Sequence, residues 1–256
     1  MRPTLVTSVC ALLPICLSSA QSTPSAPAYE VASIKLNTSG GNGTRMNGTK
    51  GEYMVTNATL KNLIQNAYDV REYSFSGPDW LSSVRFDINA KFPPEEPGIT
   101  PQQRQATRRL MLQNLLQERF KLTAHHETRM LSGYALLVGK KGPKLKDCER
   151  KDGTSVSQNN GNLDGQGMSM ENLANVVAGI LRGPVADMTG LDGKYDIKLE
   201  WSQDEGKPGG DTEKPADVRP SIFTALQDTL GLRLETRKIP VETLIVDHVE
   251  RTPTEN

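Results

Sequence analysis

Histidine, cysteine and aromatic side chains are scarce in this chain, and each scarcity closes off a class of function. Of the three cysteines, Cys10 and Cys16 lie in the N-terminal apolar segment. Removal of that segment leaves Cys148 alone, so no internal disulfide is expected. Cys148 sits in the charged stretch "KLKDCERKDG" with no histidine beside it, which is not the setting of an activated thiol. Aromatics make up 5% of the residues, and 30 basic side chains are balanced by 30 acidic ones. No basic patch interleaved with aromatics occurs, so no nucleic-acid partner is expected. Beyond the N-terminus no stretch is apolar enough to span a bilayer, so no transmembrane segment is expected after signal removal.

The N-terminus itself is patterned. Arg2 gives a positive start, Leu5 to Leu17 is apolar, and "SSA" ends at Ala20 in small residues. This is the layout of a secretory signal peptide over residues 1–20, followed by a Pro/Ser/Ala leader at 21–28. The expectation is an exported, soluble protein, periplasmic or extracellular. About 235 residues would remain, enough for one or two ordinary hydrophobic cores.

The rest of the chain repeats itself. "ATLKNLIQNA" (58–67) precedes "MSMENLANVV" (168–177) by 110 positions, with Thr59 and Ser169 as natural helix N-caps and apolar residues at helical spacing behind them. "LQERFKLTAHHETRMLSGYALLV" (116–138) aligns without gaps on "LQDTLGLRLETRKIPVETLIVDH" (226–248) at the same offset. Between these blocks, "GPDWLSSVRFDINAKF" (77–92) is matched to "GPVADMTGLDGKYDIKLEW" (183–201), which pairs Gly77-Pro78 with Gly183-Pro184 and Asp87 with Asp196. The spacing predicts helices at about 59–69, 101–119, 169–181 and 220–230. It predicts hairpins of strands at 121–128 with 133–139 and at 232–238 with 243–250, besides strands near 29–36, 52–57, 73–76, 85–92, 163–167, 184–188 and 194–201. The expected fold is α+β, an internal duplication of helix–strand–strand units with mostly antiparallel sheets and helices on one face. The copies would span 29–150 and 167–256, joined by a loop at 151–166, with a charged Gly/Pro linker at 202–220 inside the second.

The phrases "YEVASIKLN", "RFDINAKFP", "LLQERFKLTAHHETR", "YALLVGKKGPKLK" and "SIFTALQDTLGLRLETRKIPVETLIVDHVERTPTEN" together resemble a family of exported proteins of unknown function. That family is expanded in soil acidobacteria, and its domain also follows membrane metallopeptidases of the BlaR sensor type. The resemblance covers about Tyr29 to Asn256 and implies no activity. Segments such as "SMENLANVV" and "ALQDTLGLRLE" are also similar to small periplasmic domains at the N-terminus of secretins and TonB-dependent receptors, which implies a helix-then-hairpin unit.

Chemistry has few footholds. "HHE" at 125–127 lacks the second histidine of a His-Glu-x-x-His helix and reads as a strand, where His125 and His126 point to opposite faces. His125 and Glu127 share a face and are the first candidates for an acid–base pair. His248 follows Asp247 on another strand, and alternation puts Leu244, Val246 and His248 together on one face, with Ile245 and Asp247 on the other. "DMTG", "TGLDGKYD" and "GKKGPK" read as turns, without the ligands of a calcium loop or a phosphate loop. No metal and no cofactor is expected. Asp87 and Asp196, each between an aromatic and an isoleucine, read as solvent-facing strand positions, with bonding to neighbouring backbone as a second role. The expected function is a non-catalytic binding, interaction or sensing module for a protein, peptide or cell-envelope ligand, using a sheet edge or the groove between copies. The alternatives are an exported hydrolase with a site between the two copies, built on His125 and Glu127 or His248, and a structural envelope protein.

Overall fold

The computed structural model describes residues 26–41, 43–48, 51–95, 97–149, 153–202 and 219–254. The expected signal peptide and most of the 202–220 linker lie outside them. In chain order the elements are β1 (Val31–Leu36), β2 (Arg45–Gly48), β3 (Glu52–Thr59), α1 (Leu60–Tyr68), β4 (Phe75–Ser76), β5 (Arg85–Lys91), α2 (Pro101–Phe120), β6 (Thr123–Val138) and β7 (Lys146–Asp147). Then follow β8 (Ser155–Asn159), β9 (Asn162–Met168), α3 (Met170–Leu181), β10 (Val185–Asp187), β11 (Tyr195–Glu200), α4 (Ile222–Ala225) with a π-helical turn at Leu226–Leu230, and β12 (Leu232–His248). The fold is α+β with mostly antiparallel sheets.

Two of its three sheets follow one plan, β1-β5-β3-β2 and β7-β11-β9-β8. The helices packed against them also match. In α1 the buried residues are Leu60, Leu63, Ile64 and Ala67, and in α3 Met170, Leu173, Ala174 and Val177 occupy the same places 110 residues on. Both helices show the i, i+3, i+4, i+7 stripe of an amphipathic helix. Both start at a hydroxyl cap, Thr59 accepting from Asn62 N–H and Ser169 from Asn172 N–H, each worth about 1 kcal/mol. The first core joins sheet residues Phe86, Ile88 and Val55 to α1 and α2, and the second joins Ile197, Leu199 and Trp201 to α3 and α4.

The third sheet ties the halves together. Its order is β10-β6-β12-β4, so strands from the second and first halves alternate. β6 and β12 pair antiparallel almost end to end, Leu232 opposite Val138 and His248 opposite Thr123. At about 3.3 Å per residue this ribbon is about 50 Å long. One end, with Leu122, Leu244 and Val246, belongs to the first core, and the other, with Leu136 and Leu232, to the second. β4 leaves the first half to pair parallel with β12, and β10 leaves the second to pair parallel with β6.

Several expectations are corrected. The predicted hairpins at 121–139 and 232–250 are single continuous strands of 16 and 17 residues. Gly133, at the start of the predicted strand 133–139, is extended and buried with Pro184 packed on its Cα face, and the strand continues through it without a turn. Pro240 falls between the predicted strands 232–238 and 243–250, yet it lies opposite Met130 in the ribbon, away from the β4 contact at Leu244–Ile245, where a missing N–H is tolerated. The expected connecting loop at 151–166 holds the hairpin of β8 with β9. The two Gly-Pro dipeptides do not match in space: Gly77-Pro78 follows β4, whereas Gly183-Pro184 precedes β10.

Candidate functional site

The ribbon positions every histidine. His125 stands opposite Ile245, and the β-bulge between Val246 and His248 moves His248 opposite Thr123. The expected sharing of a face by Val246 and His248 therefore fails, since a bulge re-aims the residues after it. His125 meets Asp247 instead of Glu127: its Nδ1 lies 2.8 and 2.9 Å from the two carboxylate oxygens. Glu127 accepts two hydrogen bonds from Arg129, at 3.0 and 3.1 Å. His126, on the opposite face, has Nδ1 3.6 Å from Glu242 Oε1. The side chains of His125 and Asp247 are 54% and 46% exposed, so the pair stands in solvent. Among the described residues, no three His, Cys, Asp or Glu side chains are placed to hold a metal ion.

Asp87 and Asp196 do build one feature twice. Asp87 accepts the main-chain N–H of Asn57 at 2.8 Å and Asn37 Nδ2 at 2.7 Å. Asp196 accepts the N–H of Gly167 at 3.2 Å. Asn57 and Gly167 are 110 residues apart, and both have left-handed backbone, with φ 59° and 65°. The register of β3 against β5 shifts at Val55/Ala58 and that of β9 against β11 at Tyr195/Ile197. Each aspartate therefore holds a bulge that swings the chain from strand into helix.

Two concave surfaces lie elsewhere, along α2. The first is a groove of about 380 Å³ between the extended segment 28–32 and the helix, with Met111, Leu115 and Glu118 on the helical wall. Asn114 fixes that segment by donating from Nδ2 to Pro27 O at 2.7 Å. The second is a cleft of about 230 Å³ that shares Tyr29 with the groove and is lined also by Tyr53, Phe92, Arg108, Asn66 and Gln105. Its rings cluster, with centroids 6.1 Å apart for Tyr29–Tyr53 and 5.4 Å for Tyr29–Phe92, and the Arg108 guanidinium stacks 4.3 Å above the Phe92 ring. Burial pushes the Tyr53 phenol up to about 12. Burial also raises Tyr29, with Tyr53 adding to the effect and Arg108 opposing it. Neither concavity contains His125, Glu127 or His248. The sequence reading missed both; the arginines at 104, 108 and 109, on one side of a helix by their spacing, were the available signal.

A family profile described as a protein of unknown function, DUF3738, matches residues 61–249. The chain belongs to this family. The match takes in α1, α2, α3 and both ribbon strands, and it begins after β1. No curated protein and no solved structure matches the chain. No helix among the described residues is long and apolar enough to cross a membrane.

Proposed function

We propose that this DUF3738 protein is a non-catalytic binding module that acts after export and takes an extended segment of a partner protein into the groove between β1 and α2. The observation that carries the reading is the groove's construction: one wall is extended main chain at the edge of a sheet, and the other is an α-helix presenting apolar side chains. Extended peptides add to such edges through main-chain hydrogen bonds and gain specificity from side-chain pockets beside them. The lining mixes the apolar Met111 and Leu115 with the charged Glu118 and Arg119, so both apolar and polar side chains of a bound segment would find partners. Export rests on the layout of residues 1–20, and mass spectrometry of the secreted protein should find Gln21 at its N-terminus.

The test is selection of displayed random peptides on the protein spanning 21–256, followed by hydrogen exchange of the complex. Protection at 28–33 and 111–119 is the expected result. Enriched peptides that protect only other segments, or no enrichment, would overturn the proposal.

A further inference from the structure

The cleft beside Phe92 has a charge balance that the groove lacks. Glu95 is shared between Arg104, at 2.8 Å, and Arg108, at 3.1 Å, while Arg109 pairs with Asp69 at 2.7 Å. Among the described residues these three guanidiniums pair with two carboxylates, so Arg108 shares its carboxylate with Arg104 beside a wall of three aromatic rings. The Arg108 side chain is 33% exposed and so open to a ligand.

The second half builds the same sheet with a different lining. Phe92 N–H bonds Gly51 O at 2.9 Å and Trp201 N–H bonds Gly161 O at 2.8 Å, so Trp201 is the counterpart of Phe92. At the 110-residue offset Tyr53 becomes Leu163, Asn66 becomes Val176 and Asp69 becomes Gly179, while Arg109 keeps its type as Arg219. The second half keeps an arginine here, Arg219, which donates to Asn160 O at 2.8 Å, but the aromatic and amide lining supplied by Tyr53 and Asn66 belongs to the first half alone.

We infer that the cleft of Tyr29, Phe92 and Arg108 binds a carboxylate attached to an aromatic ring, the ring against the aromatic wall and the carboxylate on the Arg108 guanidinium. A flat anion suits a guanidinium already held flat on Phe92, because planar, paired N–H donors match a carboxylate. The inference stands apart from strand addition at β1, since it concerns the neighbouring cleft and a different chemistry. Two sources carry this chemistry, a free small molecule and the C-terminal residue of a chain that ends in phenylalanine.

Phenylacetate is the probe, titrated into isotopically labelled protein spanning 21–256 and followed by amide chemical shifts. Saturable shifts at Asn66, Gln105 and Arg108 are expected, with phenylacetamide at least tenfold weaker because it lacks the charge. Arg108→Met should weaken phenylacetate at least tenfold. Arg104→Met, which loses the same Glu95 partner but does not line the cleft, should change it less than threefold, and thermal melts of both variants verify folding. N-acetyl-Gly-Gly-Phe binding tighter than phenylacetate assigns the carboxylate to a chain terminus, and the reverse assigns it to a small molecule. Equal binding of phenylacetate and its amide, shifts remote from the cleft, or no saturation at millimolar concentrations would each overturn the inference.

Discussion

The carboxylate of Asp87 accepts the main-chain N–H of Asn57, a buried residue with left-handed backbone, at 2.8 Å. A non-glycine residue at positive φ needs such support. Asn57 also anchors the preceding loop by donating from Nδ2 to Gly41 O at 2.6 Å and Gly43 O at 3.0 Å. Asp87→Ala should therefore cost about 1–3 kcal/mol in urea unfolding, the usual cost of orphaning a buried donor. Asp87→Asn, which keeps an acceptor oxygen, should cost less. Asp196→Ala in the second half should cost about 0.5–1.5 kcal/mol, since Gly167 holds positive φ without strain. Equal losses for Asp87→Ala and Asp196→Ala would contradict this account.

The seat of β10 on β6 depends on Gly133. A Cβ there would collide with the Pro184 carbonyl oxygen and come 2.7 Å from its Cγ, and Tyr134 N–H bonds that same carbonyl at 2.9 Å. Relieving the overlap means moving a strand that joins the two halves. Gly133→Ala should destabilise by about 1–3 kcal/mol, as overpacked sites do. Ser132→Ala, one residue away and exposed, should stay within about 0.5 kcal/mol. Thermal denaturation of the two variants makes the comparison, and an unchanged melting temperature for Gly133→Ala would show that the seat is loose.

The helices and most strands were legible in the sequence because each half buries a simple periodic stripe, such as Leu60-Leu63-Ile64-Ala67 or Phe86-Ile88-Ala90. The ribbon was not. Gly133 and Pro240 carry the local marks of turns, and only the long-range approach of Pro184 and the pairing with Met130 explain them as strand residues. Asp247 was legible only as the neighbour of His248 and not as the partner of His125, because that pairing depends on a cross-strand register and a bulge. The α2 cleft was hidden for a related reason: Tyr29, Tyr53, Phe92 and Arg108 come from four separated segments and share no spacing rule.

Tyr53 places a hydroxyl under cover with no hydrogen-bond partner among the described residues. At neutral pH Tyr53→Phe should leave stability unchanged or raise it by about 1 kcal/mol, since it removes an unsatisfied polar group. The pH dependence has a definite sign. The folded-state phenol lies at about 12 against an ordinary 10.0, so its neutral form is favoured by folding. The associated stability is fully present below pH 10 and is lost as pH rises from 10 through 12, by at most about 2–3 kcal/mol. Tyr53→Phe should flatten that part of the stability–pH curve. A curve of unchanged slope between pH 10 and 12 would refute the assignment.

Glu72 supplies a smaller effect at the acid end. Its carboxyl is held below the ordinary 4.5 chiefly by the hydrogen bond from Lys61, with Gln65 contributing and burial opposing. A depressed carboxyl contributes stability that is present above its unfolded value and lost as pH falls through the folded one. Because the Glu72 side chain is 72% exposed, solvent screening holds the contribution under about 1 kcal/mol. Glu72→Gln should therefore change stability little at pH 7 and reduce its decline below pH 4.5. A steeper acid decline in the variant would reverse the sign argued here.

His125 and Asp247 are close enough for a strong contact, yet both stand about half in water, and that decides their worth. Charge pairs in solvent gain little over their separate hydration and are weakened by salt. A double-mutant cycle of His125→Ala and Asp247→Ala, read by urea unfolding at pH 6, should give a coupling energy below about 1 kcal/mol. Each single variant should lose no more than about 1 kcal/mol, and added salt should shrink the coupling further. A coupling above about 2 kcal/mol, or one indifferent to salt, would mean that the pair is shielded in the working protein. The exposed end of the ribbon would then have to be treated as an interface, where an acid–base pair covered by a partner gains both strength and chemistry.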